Sequence, residues 1–81
     1  MDNGVEIRFF AAARAAAGVD QIYCPSAQFQ EIISELCRTQ PALAHVIAQC
    51  SFLLDSVAVH DQNFVVHDGS IIDVLPRFAG G

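Results

Sequence analysis

The chain has 81 residues, room for one compact domain with a single core and too few for two units that fold independently. A hydrophobic share of 53% against 16% charged residues excludes the composition of a disordered chain. The net charge of −5, with four basic residues that are all arginine, offers no continuous basic patch to neutralise phosphates, so nucleic acid is not an expected partner.

Val5-Glu6-Ile7-Arg8-Phe9-Phe10 alternates apolar and charged residues, which predicts a strand with one buried face. The six alanines of 11–17, grouped around Arg14 and closed by Gly18, predict one or two helical turns with a glycine cap. Val19 to Cys24 returns to strand character as far as Pro25, and would lie beside the first strand. Phe29, Ile32, Ile33, Leu36 and Cys37 share one face of a helix over about 27–38. Pro41 suits the first turn of a second helix, in which Leu43, Val46, Ile47 and Cys50 share a face. Val57-Ala58-Val59 predicts a strand, Asp61-Gln62-Asn63 a tight turn, and Phe64-Val65-Val66 a short extended segment. After the turn signal His67-Asp68-Gly69-Ser70, the run Ile71 to Leu75 predicts a last strand that Pro76 stops. The expected architecture is an α+β domain over residues 1–76, a mixed sheet with the main helix packed on one face, followed by a flexible tail over 77–81.

No apolar run approaches the roughly 20 residues of a membrane span, because Arg14 and Gly18 break the longest one. The opening Met1-Asp2-Asn3-Gly4 has no basic, apolar signal character either, so a cytoplasmic location is expected, with no membrane partner. Cys24, Cys37 and Cys50 are odd in number, form no C-x-x-C and occupy apolar positions, which predicts reduced core thiols.

The tail Arg77-Phe78-Ala79-Gly80-Gly81 carries the chemistry of interest. Two terminal glycines leave no side chain beside the carboxylate, so the backbone can enter a narrow channel. A carboxylate with a pKa of about 3.5 is ionised and a poor acyl donor at neutral pH, so it must be activated. Adenylation by ATP would supply a leaving group, and a sulfur nucleophile would then convert Gly81 into a thiocarboxylate. The tail residue Phe78 is expected to dock on partners, whereas Phe9, Phe10, Phe52 and Phe64 are expected in the core.

Ile7-Arg8-Phe9-Phe10-Ala11-Ala12-Ala13-Arg14 with Gly18, then Val57-Ala58-Val59, Asp68-Gly69 and Leu75-Pro76-Arg77-Phe78-Ala79-Gly80-Gly81, resemble the molybdopterin synthase small subunit, a ubiquitin-like sulfur carrier of the MoaD/ThiS type. The resemblance spans nearly the whole chain, although from Cys24 to Leu54 only the helical pattern matches. It implies the β-grasp, or ubiquitin-like, fold. It also implies that Gly81 is adenylated by a ubiquitin-activating-like adenylyltransferase that uses ATP, thiocarboxylated with sulfur from a sulfurtransferase, and inserted into the large subunit of molybdopterin synthase. There the chain would be a non-catalytic, sulfur-donating subunit of a heterotetramer, passing sulfur to cyclic pyranopterin monophosphate. Gly80, Ala79, Phe78, Arg77 and Pro76 would bind the partners, with no permanently bound cofactor. Arg77 stands where relatives carry a second proline, and His60 where they often carry asparagine. The same Gly81 chemistry serves carriers for thiamine or cysteine biosynthesis and ubiquitin-like protein modifiers. Lacking lysine, the chain cannot build polymers of itself through isopeptide bonds.

Asp55, His60, Asp61, His67 and Asp68 cluster in sequence, but they straddle turns with no zinc-site spacing, so no metal site is expected. Three cysteines also fall short of the four thiolates of an iron–sulfur centre.

Overall fold

The computed structural model describes residues 4–77. Strand β1 (Val5–Phe9) turns Val5, Ile7 and Phe9 inward and leaves Glu6 and Arg8 on the other face. Helix α1 (Ala11–Ala17) buries Ala13 and Ala17, and the small alanine side chains let it lie close to the sheet. It ends at Gly18, whose φ of 78° is the left-handed conformation and whose N–H reaches the Arg14 carbonyl. Strand β2 (Gln21–Cys24) runs antiparallel to β1, with Ile22 opposite Ile7. Val19 lies in the preceding turn and is exposed, so the second strand starts later than its residue types predict.

Two residues, β3 (Ala27–Gln28), precede α2 (Phe29–Thr39), which therefore starts at the first residue of the apolar spacing, two residues after the expected start at 27. On α2, Phe29, Ile32 and Leu36 are buried and Ile33 is packed beside them. Helix α3 (Pro41–Ile47) carries proline in its first turn, where the missing N–H costs nothing. The sequence reading extends this helix to Cys50, whereas Cys50 opens strand β4 (Cys50–Leu54). Cys50 and Phe52 face inward at a spacing of two, and this strand is the antiparallel neighbour that the last strand requires.

A two-residue turn with both φ values positive, Asp55 at 49° and Ser56 at 72°, joins β4 to β5 (Val57–Ala58). Val59 lies beyond β5, yet its N–H still reaches the Phe52 carbonyl. Strand β6 (Val65–Val66) pairs only with β3. Strand β7 (Ile71–Pro76) includes Pro76, which the sequence reading places at its stop.

The five-stranded sheet has the order β2-β1-β7-β4-β5, with β1 and β7 parallel and the other pairs antiparallel. A mixed sheet with its helices packed on one face is the β-grasp, ubiquitin-like fold that the resemblance implies. Its core centres on Phe29, fully buried, edge-on to Phe52 and stacked on Phe64, both at 5.1 Å between ring centres. Phe10 lies outside this core: as the residue before α1 it is 39% exposed, because the alternation of β1 has already sent Phe9 inward.

Candidate functional site

Of the six residues that the sequence assigns to the tail and its root, Pro76 and Arg77 are described; Phe78, Ala79, Gly80 and Gly81 lie outside the described residues. Pro76 sits opposite Cys50 in the last register position of β7 and β4. The Arg77 N–H donates to the Gln49 carbonyl at 2.8 Å. The root of the tail is thereby tied to the connection between α3 and β4. Strand β7 is a firm support because it has a neighbour on each side, and Ile72 and Val74 are buried beneath it.

Beside the root lies a concavity of about 450 Å³, lined among others by Ile47, Cys50, Ser51, His60, Gln62 and Arg77. Burial pushes the Cys50 thiol above its ordinary pKa, and the nearby charge of Arg77 works in the opposite direction. Its Sγ also donates to the Val46 carbonyl at 3.4 Å. A reactive cysteine needs thiolate character and access, and Cys50 is buried with its proton held. Burial likewise raises the thiol of Cys24, which is half-buried against the core. Cys37 is partly exposed on α2 and outside the packed core, so of the three expected core thiols only Cys50 is fully interior. Burial prepares neither Cys24 nor Cys50 as a nucleophilic thiol.

One arrangement escaped the sequence reading. Arg8 and Asp73 lie side by side in the parallel register of β1 and β7, on the sheet face away from the helices. The guanidinium donates to both carboxylate oxygens, Nε to Oδ1 at 2.6 Å and Nη2 to Oδ2 at 3.1 Å. Hydrogen bonding to Asp73, and then its charge, holds Arg8 above its already high ordinary pKa. Asp73 is itself 7% exposed, so the pair covers the middle of an otherwise open face. The signals were the lone aspartate inside the run Ile71 to Leu75 and an arginine in the first strand, but only the strand order shows that they meet.

Two of the residues considered as metal ligands, Asp55 and Asp61, hold backbone groups instead. Asp55 Oδ1 accepts the Ile71 N–H at 2.9 Å, and Asp61 Oδ1 accepts the Asn63 N–H at 2.9 Å within its own turn. Among the described residues, no three His, Cys, Asp or Glu side chains are grouped to hold a metal ion. Among them also, no helix is long and apolar enough to cross a membrane.

Residues 7–81 match the model of the ThiS family, and that span includes the glycine pair. The chain belongs to the ThiS family. It is a small ubiquitin-like protein of the sulfur-carrier kind. A comparison with curated protein sequences found no match. Among solved structures, it is similar to small archaeal modifier protein 1 of Methanosarcina acetivorans, with 21% identity over 95% of each chain and a TM-score of 0.83. It is also similar to a chain of the complex of subunits 1 and 2 of molybdopterin-converting factor from Helicobacter pylori, with 22% identity over 95% of this chain and 97% of that one, and a TM-score of 0.74. Small archaeal modifier protein 1 of Haloferax volcanii aligns at 18% identity over 91% of this chain and 97% of that one, again with a TM-score of 0.74. At these identities the likeness establishes the shared fold.

Proposed function

We propose that this ThiS-family protein is a sulfur carrier that holds its sulfur as a thiocarboxylate on Gly81. The observation that carries the reading is the family match through residue 81, which takes in both glycines as well as the folded domain. The Gly81 carboxylate attacks the α-phosphorus of ATP on a ubiquitin-activating-like adenylyltransferase and releases pyrophosphate. A sulfur nucleophile delivered by a sulfurtransferase then displaces AMP from the acyl carbon. Gly80 and Ala79 keep the tail narrow, Phe78 supplies an apolar anchor, and Pro76 and Arg77 set its root. Residues 1–76 act as the domain that partners grip, and the ATP belongs to the activating enzyme. A cytoplasmic setting, where ATP and reduced thiols are at hand, suits this chemistry.

The family match favours a carrier defined by its tail chemistry, with thiazole assembly for thiamine or sulfide supply for cysteine as its destination. The N-terminal Ile7-Arg8-Phe9-Phe10 motif and the likeness to the Helicobacter pylori complex favour a second destination. That one is cyclic pyranopterin monophosphate, with a molybdopterin synthase large subunit as partner. The likeness to archaeal modifiers favours a third, attachment of Gly81 to lysines of other proteins, one copy at a time because the chain has no lysine of its own.

Intact mass spectrometry of the untagged protein, incubated with ATP, an adenylyltransferase, a sulfurtransferase with its sulfur donor, and a thiol reductant, tests the common step. One oxygen exchanged for sulfur at Gly81 is the expected product, and its absence would sink the carrier reading. Supplying the thiocarboxylated protein to thiazole synthase, to a cysteine-forming sulfhydrylase or to molybdopterin synthase large subunit then identifies the acceptor by product. Thiol-resistant adducts with extract proteins would instead identify a modifier.

A further inference from the structure

Strand β2 lies at the edge of the sheet, and the hydrogen bonding of β1 shows which of its backbone groups face outward. The Phe9 N–H donates to the Asp20 carbonyl at 2.9 Å. Partners alternate along an antiparallel ladder, so Ile7 with Ile22 and Val5 with Cys24 are also hydrogen-bonded pairs. Gln21 and Tyr23 therefore turn their N–H and C=O groups away from β1, and no backbone partner occupies them among the described residues. Sheet edges are commonly blunted by charge, proline or a bulge; the four residues Gln21–Cys24 carry none of these within the strand, and Asp20 and Pro25 limit the open edge to that length. The edge borders a groove of about 460 Å³ between β2 and α2, floored by Ile7, Ile22, Ile32 and Leu36 and walled by Glu31 and Glu35.

We propose that an extended segment of a partner protein adds to β2 as a sixth strand, seating alternate apolar side chains in this groove and a basic side chain against Glu31. Main-chain bonds at Gln21 and Tyr23 would supply affinity, and the groove would read every second residue. Charge selects the occupant. Glu35 is engaged by Arg38, whereas Glu31 is exposed and makes no ion pair among the described residues. A second copy of this chain would bring another net charge of −5 to an acidic wall, so a basic apolar segment fits better than self-association. This surface is separate from the tail root and does not depend on the sulfur chemistry.

The probe is the peptide acetyl-Thr-Val-Thr-Ile-Thr-Arg-amide, whose valine, isoleucine and arginine fall on one side when extended. It is titrated into the full ¹⁵N-labelled chain and followed by amide chemical shifts. Saturable shifts at Gln21, Tyr23 and Glu31 are expected, with binding weakened about fivefold by glutamate in place of the peptide arginine, and equally by Glu31→Lys in the protein. Methylating the peptide backbone nitrogens should abolish binding. Unmoved edge amides at millimolar peptide, undiminished binding by the methylated peptide, or indifference to Glu31→Lys in a variant with native amide dispersion would each overturn the proposal. Shifts at Gln21 and Tyr23 that follow protein concentration alone would overturn it in favour of a dimer.

Discussion

Asp73 shows how one residue depends on one partner. Its carboxylate side chain, 10% exposed, is held by both hydrogen-bonding arms of Arg8. Removing Arg8 alone strands a nearly buried charge, which is worse than removing both members. Arg8→Met should therefore lower the urea midpoint more than the double variant Arg8→Met with Asp73→Leu, and the inequality is read directly from a double-mutant cycle. The buried thiol of Cys50 gives a pH dependence of known sign. Its folded pKa lies above the ordinary value, so the folded state keeps the proton longer than the unfolded chain does. Stability from this source is complete below an unfolded thiol pKa of about 8.5 and is lost as pH rises through the higher folded value. Urea midpoints measured under reducing conditions should fall between neutral and strongly alkaline pH, and Cys50→Ala should flatten that fall.

At the scale of elements, α2 is anchored by its first residue. Phe29 is fully buried, touches Phe52 of β4 and Phe64 before β6, and its N–H donates to the Phe64 carbonyl at 2.9 Å. Phe29→Ala should cost about 3–5 kcal/mol in urea unfolding, whereas Ile33→Ala, at a half-buried position on the same helix, should cost less. The face of α2 could be read from spacing because helical periodicity is a local property. Strand β4 could not. Cys50 falls three residues after Ile47, so it fits a helical face as well as the start of a strand, and five residues with two buried positions give too short a pattern to decide. What decides is the pairing of Phe52 with Val74 and of Leu54 with Ile72, both supplied by β7 from about 20 residues further along the chain. Strands β3 and β6 have two residues each and no periodicity to read.

For the whole molecule, the proposed sulfur-carrier function predicts that stability and sulfur loading separate. Replacing Gly81 with a bulky residue such as Gly81→Trp should leave the urea midpoint and slope unchanged and prevent thiocarboxylate formation, measured by intact mass. A shifted midpoint would mean that the tail packs on the body. Phe10, Val19 and Cys37 mark where residue type misled, since each is apolar yet at least partly exposed, and only the surrounding elements determine which apolar residues find cover. By itself, the sequence determined the element types with strong periodicity and the α+β class, because these rest on local spacing. Tertiary structure alone decided that β7 runs between β1 and β4, that Arg8 meets Asp73, that Arg77 is tied to Gln49 and that β2 is left with an open edge. Each of these joins segments far apart in sequence, and no local pattern records which strand will lie beside which.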